Sequence, residues 1–200
     1  MSRNKMLAVG LLTASVALAV HAAGNPVAPD ALATRTTLAA HGRPLTLPSQ
    51  AAPAAIAAAY LRRHGHSDAT VRSLKLNALG APGHNDRRHL RMSQEVGGLM
   101  VYDTYVKATV NKRGELLSVI ENLAPVPAGG VTRATIDERA ALAAALRALK
   151  IAIPAPQAIA RHGNTTSFAK ARGFSAAPTV TRVAIPMSDG TLAAGFLVET

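Results

Sequence analysis

Cysteine and tryptophan are absent from the 200 residues, and aromatic residues make up only 3% of the chain. Without cysteine the protein can form no disulfide, no thiolate metal site and no lipoprotein anchor. Apolar residues reach 48%, but many of them are alanines, which bury little surface. We therefore expect a thin hydrophobic core and marginal stability unless a partner docks onto the fold.

Acidic residues are also scarce, with 11 Asp and Glu against 22 Lys and Arg, and the formal net charge is +11. Such an excess favours acidic partners, which include a protein surface, a lipid surface and nucleic acid. The charge alone does not choose among these three classes.

The N-terminal segment has the pattern of a secretory signal peptide. Arg3 and Lys5 form a basic start, and the apolar run 6–20 is too short for a stable membrane span, which argues against the alternative of a membrane anchor. We expect cleavage between Ala22 and Ala23, export to the periplasm or the medium, and no membrane span in the mature chain. Loss of Arg3 and Lys5 would leave 20 basic and 11 acidic residues, a net charge of +9.

The first structured segment follows a stretch rich in Pro, Ala and Thr, residues 23–48, which we interpret as a linker or flexible arm. Residues 49–65 then read as a helix. Ser49 can cap this helix, Pro53 falls in its first turn, and Gly65 can end it.

A β-meander is the clearest pattern in the chain. Alternation of apolar and polar residues predicts strands at 71–79, 89–96, 99–110 and 115–123. Gly97 and Gly98 supply the positive φ angles of a two-residue hairpin turn, and Gly114 supplies a left-handed position in the next turn. In the long third strand, Tyr102 is expected to share one face with Val106. The helix at 49–65 would cover the apolar face of this sheet.

Residues 124–130 form a boundary, after which the sequence "TIDERAALAAALRALK" predicts a second helix. Thr135 and Glu138 have the spacing of a capping box, with Asp137 in the first turn. Residues 151–178 show no clear period, and 179–199 read as a terminal β-hairpin. The predicted fold class is α+β, with a helix on an antiparallel β-meander, then a second helix and a C-terminal hairpin.

Patterns typical of an active site are missing from the sequence. It has no G-x-S-x-G nucleophile motif, no phosphate-binding loop and no H-E-x-x-H zinc motif. Asp137 and Glu138 are explained by helix capping. We therefore expect no catalytic, cofactor-binding or metal-binding residues in this chain.

Histidines offer one alternative, because His64, His66 and Asp68 in "HGHSD" could ligate a metal. No further ligand follows at a recognisable spacing, so we interpret this segment instead as a helix C-terminus with cationic residues near its negative end.

A run of basic side chains offers another alternative, a nucleic-acid surface. Such a surface needs stacking aromatic residues between the charges, and only Tyr60 is nearby. We therefore interpret the run as a solvated or acid-docking face and predict no nucleic-acid partner. Its members are Arg62, Arg63, Arg72, Lys75, Arg87, Arg88 and Arg91.

The meander "HLRMSQEVGGLMVYDTYVKATVNKRGELLSVIENL" resembles the fungalysin/thermolysin propeptide motif. The positions that carry the resemblance are Gln94, Gly97, Gly98, Val101, Gly114, Ser118 and Val119. Residues 133–199 resemble the PepSY-type half that accompanies this motif. The resemblance implies a signal peptide at 1–22, an arm at 23–48, a propeptide-like domain at 49–125 and a PepSY-like half, whole or truncated, at 131–200.

In zinc metallopeptidases of this kind, the propeptide assists folding of the catalytic domain and inhibits it until cleavage. The resemblance therefore implies a peptidase catalytic domain as partner, in cis or in trans, with zinc only in that domain. The catalytic domain is absent from these residues, so we expect no enzymatic activity of their own. The alternatives are a stand-alone exported protease inhibitor and a cell-envelope module that binds anionic surfaces.

Overall fold

Helices and strands follow one another along the chain in the order that the sequence patterns indicate, with several differences. The computed structural model describes residues 15–18, 32–40, 43–83, 85–171 and 174–200. The elements are β1 (Ser15–Leu18), β2 (Arg35–Leu38), α1 (Pro53–Arg63), α2 (Asp68–Arg72), β3 (Leu74–Leu79), β4 (Arg88–Val96), β5 (Leu99–Met100), β6 (Tyr105–Val110), β7 (Leu116–Asn122), β8 (Val131–Thr132), α3 (Glu138–Ala148), β9 (Ala158–His162), β10 (Thr165–Phe168), β11 (Thr179–Pro186) and β12 (Leu192–Glu199).

The described residues form two compact units. The first contains those of 1–18, 136–182 and 196–200, and the second contains those of 19–135 and 183–195. The predicted α+β fold is confirmed, with α1 on an antiparallel meander, then α3 and a hairpin of β11 and β12.

The second unit is built on an antiparallel sheet with the strand order β2-β7-β6-β4-β3. Helix α1 packs on one face of this sheet, because its stripe of Ile56, Ala57, Tyr60 and Leu61 is buried against the inward residues of the strands. Those inward residues alternate along each strand, as in Val106, Ala108 and Val110 of β6 and in Leu90 and Met92 of β4. The core of the unit therefore lies between α1 and the sheet.

Helix α1 begins later than the sequence suggests. Its N-cap is Ala52 and Pro53 occupies the first turn, whereas the Ser49 hydroxyl accepts a hydrogen bond from the Ala51 amide. The prediction of Ser49 as the cap is therefore wrong. A proline at the first helical position loses no helix hydrogen bond, which explains a start at this residue. The helix ends at Arg63, before Gly65.

The predicted third strand is interrupted. Strand β5 ends at Met100, Tyr102 and Asp103 form a turn, and β6 starts at Tyr105. Asp103 has a φ of 53°, a conformation that Asp tolerates better than most residues, and the Asn122 side chain donates to its carbonyl oxygen at 2.8 Å. Tyr102 therefore does not share a strand face with Val106, contrary to the prediction.

Part of the predicted arm forms strand β2, which pairs antiparallel with β7. Two threonines in "RTTL" give this segment strand propensity, and the edge of β7 offers free backbone groups. The chain continues along the same edge, where the Leu45 amide donates to the Leu116 carbonyl at 2.7 Å. Strand β2, Leu45 and Ser49 are thus hydrogen-bonded to the described residues of β7 and the turn before it.

The strand predicted at 71–79 begins only at Leu74. Val71 and Arg72 belong to the short helix α2, which Ser67 caps by accepting a hydrogen bond from the Thr70 amide at 3.1 Å. The Ser-Asp start of this helix is a capping signal that the alternation of the following residues obscured.

In the first unit, the predicted second helix is α3, which buries Leu142, Ala145 and Leu146. Its N-cap is Asp137, which accepts from the Ala140 amide at 2.8 Å, so the predicted capping box led by Thr135 is wrong. An Asp is as good a cap as Thr, and the helix starts at the later of the two.

A hairpin of β9 and β10 lies within the segment for which no period is visible. Every residue of β9 is exposed, so its sequence carries no alternation to detect. Gly163, with a φ of 56°, lies in the turn between the two strands.

Four residues of the predicted signal peptide form β1, which pairs antiparallel with β12, Ser15 opposite Glu199. Ala22 and Ala23, the predicted cleavage site, lie outside the described residues. The signal peptide stays a prediction.

Candidate functional site

Gln94 is buried at the end of β4 and links three segments of the second unit. Its amide nitrogen donates to the Ala124 carbonyl at 2.9 Å and to the Ser73 hydroxyl at 3.1 Å. Its amide oxygen accepts from the Ala124 backbone N–H at 2.8 Å. Gln94 thus provides hydrogen-bond partners for both backbone groups of Ala124, a buried residue after β7. Buried backbone groups need such partners, so the role of Gln94 is structural.

The other motif positions also have structural contacts. Gly97 and Gly98, with φ of 59° and 77°, make the two-residue turn between β4 and β5. Gly114 has a φ of 70°, and a Cβ there would overlap the carbonyl oxygen of Ser49. Val101 is buried beside Ala184 and its neighbours in a second apolar cluster of this unit. These glycines and this valine therefore shape the fold, and their side chains carry no reactive group.

The histidines of "HGHSD" are not brought together. His64 stacks on Tyr60 and its Nδ1 lies 2.9 Å from the Tyr60 carbonyl oxygen, while Asp68 pairs with Arg62 at 2.9 Å. His66 faces Glu121 instead. Among the described residues, no group of three His, Asp or Glu side chains could hold a metal ion.

Glu121 is a buried carboxylate, inward-facing on β7. One of its oxygens lies 2.8 Å from Nε2 of His66 and the other 3.5 Å from the Arg35 guanidinium of β2. The close His66–Glu121 pair lacks hydrogen-bond geometry, and neither of the two atoms has another partner among the described residues. The ion pair of Glu121 with Arg35 ties β2 to β7.

The face of the sheet opposite α1 carries the strand residues that alternate with the inward, core-facing ones. We call it the outer face. Its side chains are exposed or half-buried. Its members are Thr36 and Leu38 of β2, Ser118 and Ile120 of β7, Tyr105, Lys107 and Thr109 of β6, His89, Arg91 and Ser93 of β4, and Lys75 and Ala78 of β3.

Charge on the outer face is mostly of one sign. Arg91 lies directly opposite Lys107 on the neighbouring strand. Neither side chain makes an ion pair with any residue that the structure describes. Lys75 lies on the same face of β3, and the acidic Glu95 follows only near the end of β4. The centre of the face is therefore positively charged and not neutralised by ion pairs within the described chain.

Residues next to this basic pair make polar contacts between strands. Nδ1 of His89 lies 3.0 Å from the Thr109 hydroxyl, and the Ser93 hydroxyl donates to Asn77 at 3.0 Å. A shallow groove crosses the face, and Ala78, Arg91, Lys107 and Ile120 are among its lining residues. The outer face thus combines polar contacts between strands with a shallow groove beside the basic pair.

The basic run of the sequence is dispersed by the fold. Arg62 and Arg63 lie on α1 and Arg72 on α2, while Lys75 and Arg91 lie on the outer face. Sequence reasoning missed Lys107 as the partner of Arg91, although the alternation along "YVKATV" places Lys107 on the polar side. Only the pairing register sets the two side chains opposite each other.

No family model matches this chain, and no curated protein matches it. Within the described residues, the helices are too short or too polar to cross a bilayer.

Proposed function

We propose that this chain is the propeptide region of a secreted zinc metallopeptidase, and that it acts as intramolecular chaperone and inhibitor of a catalytic domain absent from these residues. The outer face, with an Arg91–Lys107 pair that has no acidic partner among the described residues, is the observation that carries the proposal. A rigid sheet with one face covered by a helix can present the other face to a second domain.

Folding assistance follows from selective binding. If the outer face binds the native-like catalytic domain more tightly than its unfolded chain, binding shifts the folding equilibrium by mass action. The same contact lowers peptidase activity while the complex persists. The positive charge suits an acidic catalytic domain, because complementary charges speed encounter.

In this account the chain contributes binding, and the chemistry belongs to the parent precursor, a zinc metalloendopeptidase. Zinc belongs to the catalytic domain. Export to the periplasm or the medium, directed by the predicted signal peptide, would bring the propeptide and the catalytic domain to the same compartment.

The excess of positive charge favours one alternative, a cell-envelope module that binds anionic surfaces. Binding of that kind falls steeply between low and moderate salt. Inhibition of a peptidase that persists at moderate salt supports the propeptide function instead.

Two experiments test the proposal. Reading the gene beyond the codon for Thr200 tests whether the partner is in cis, and an open frame that runs into an H-E-x-x-H segment supports it. If a stop codon follows, the test is whether the full chain inhibits, in trans, thermolysin-type peptidases exported by the same organism. A stop codon together with no inhibition of any of them refutes the proposal.

A further inference from the structure

We propose that Arg91 and Lys107 form a carboxylate-binding pair, and that the pair takes an acidic side chain from an extended partner segment that crosses the strands. This inference deepens the proposed function and rests on it, because the segment belongs to the catalytic domain.

The pair is unfavourable in the isolated chain. Like charges directly opposite each other on neighbouring strands repel, and the described residues bring no acidic side chain to either of them. A carboxylate placed between them accepts charge-assisted hydrogen bonds from the guanidinium and the ammonium, and removes the repulsion. Binding a carboxylate therefore gives the otherwise unfavourable Arg91–Lys107 pair a function.

The ammonium of Lys107 is held in position. Its Nζ lies 4.9 Å from the centre of the Tyr105 ring, a cation–π contact within the same strand. The ring thereby limits the positions that the flexible lysine side chain samples, so less freedom is lost when a carboxylate binds.

Apolar residues flank the pair along the direction perpendicular to the strands. Ala78 is opposite Arg91 on β3, and Ile120 is opposite Lys107 on β7. The row therefore reads Ala78, Arg91, Lys107, Ile120. With strands about 4.8 Å apart, each apolar residue lies about 7 Å from the midpoint of the basic pair.

This spacing matches an extended peptide. Alternate residues of such a peptide point to the same side and lie about 6.7 Å apart. A segment that crosses the strands with an acidic residue over the basic pair thus places the residues two before and two after it over Ala78 and Ile120. The row fits a segment of the form apolar-x-acidic-x-apolar.

The apolar flanks favour a protein segment over other anions. A free phosphate or a lipid headgroup uses the two cations and gains nothing from Ile120. A nucleic acid needs an open aromatic face for stacking, and the Tyr105 ring is already contacted by Lys107.

A titration of the isotope-labelled full chain with the peptide Leu-Ser-Glu-Ser-Leu, capped at both ends and followed by NMR, tests the inference. We expect shifts centred on the Arg91–Lys107 row. The double variant Arg91→Ser/Lys107→Thr should weaken binding about tenfold, the loss expected for two charged contacts at a partly desolvated site. The control Arg133→Ser/Arg139→Ser removes two exposed charges outside the sheet and should change binding by less than about threefold.

Equal loss in both double variants would show an effect of net charge alone and would overturn the inference. Binding of inorganic phosphate or phosphatidylserine vesicles at the row, with the peptide failing to bind there, would overturn it as well. Full binding by the Gln version of the peptide would do the same. Failure of the proposed function is a separate result, in which the peptide binds through the pair but the full chain inhibits no peptidase.

Discussion

Replacing Gln94 by Met tests whether the buried amide holds the second unit together. Met keeps the length and most of the volume of the side chain but removes all three of its hydrogen bonds, at 2.8, 2.9 and 3.1 Å. The N–H and C=O of Ala124, which is 1% exposed, lose these partners. Each unsatisfied buried group costs about 1–3 kcal/mol, so we expect the free energy of unfolding to fall by about 2–5 kcal/mol.

The measurement is urea unfolding at 25 °C, together with hydrogen exchange of the Ala124 amide, which should speed up. Ser93→Ala is the matched control on the same strand, because it removes one hydrogen bond between partly solvated side chains. We expect this control to cost less than about 0.5 kcal/mol. If Gln94→Met costs no more than the control and exchange at Ala124 is unchanged, the assigned role of Gln94 is refuted.

Three further predictions concern single positions. Gly114→Ala should lower the free energy of unfolding by at least about 1–3 kcal/mol, the cost of the positive φ of 70° alone, because overlap of the new Cβ with the Ser49 carbonyl adds to that strain. An unchanged urea midpoint would contradict this prediction. Arg91→Thr should raise the free energy of unfolding by about 0.2–1 kcal/mol, because it removes the repulsion with Lys107; a loss of stability in the same urea assay would refute the unfavourable pairing. The hydrogen bond from the Thr191 hydroxyl, and to a lesser extent the one from the Thr191 amide, lowers the pKa of Asp189 from its usual 3.8. The ionised carboxylate therefore stabilises the fold above pH 3.8, and this contribution is lost as the pH falls through the lowered pKa. Thr191→Val should raise the pKa of Asp189 towards 3.8 in a carboxyl NMR titration, and an unchanged pKa would show that the hydroxyl has no effect.

Alternation of apolar and polar residues predicted the meander well, because one face of its sheet is buried and the other is solvated. Leu90 and Met92 face the core, as their parity indicates. The same signal fails where burial does not alternate. The exposed strand β9 left no trace in the sequence, and the break at Asp103 depends on a hydrogen bond from Asn122, nineteen positions away.

Capping signals were recognised as a class but placed on the wrong residue. Ser49 and Thr135 both have a capping side chain, yet Pro53 and Asp137 set the actual starts of α1 and α3. A local pattern offers several acceptable starts, and packing of the apolar stripe against a sheet selects one of them.

The candidate site was only partly visible in the sequence. Arg91 belonged to the basic run, but its partner Lys107 lies sixteen positions later, and only the strand register sets the two opposite each other. Gln94 was identified from the resemblance, whereas its hydrogen bonds to Ala124 require the folded chain.

Inhibition of a zinc peptidase by the full chain tests the central claim most directly. The enzyme is the peptidase encoded in the same frame or, if the frame closes, a thermolysin-type peptidase exported by the same organism. The account predicts inhibition that persists at 150 mM salt, with an inhibition constant about tenfold weaker for Arg91→Ser/Lys107→Thr than for the unchanged chain. The absence of inhibition by the unchanged chain, under conditions where its fold is intact, would contradict the account.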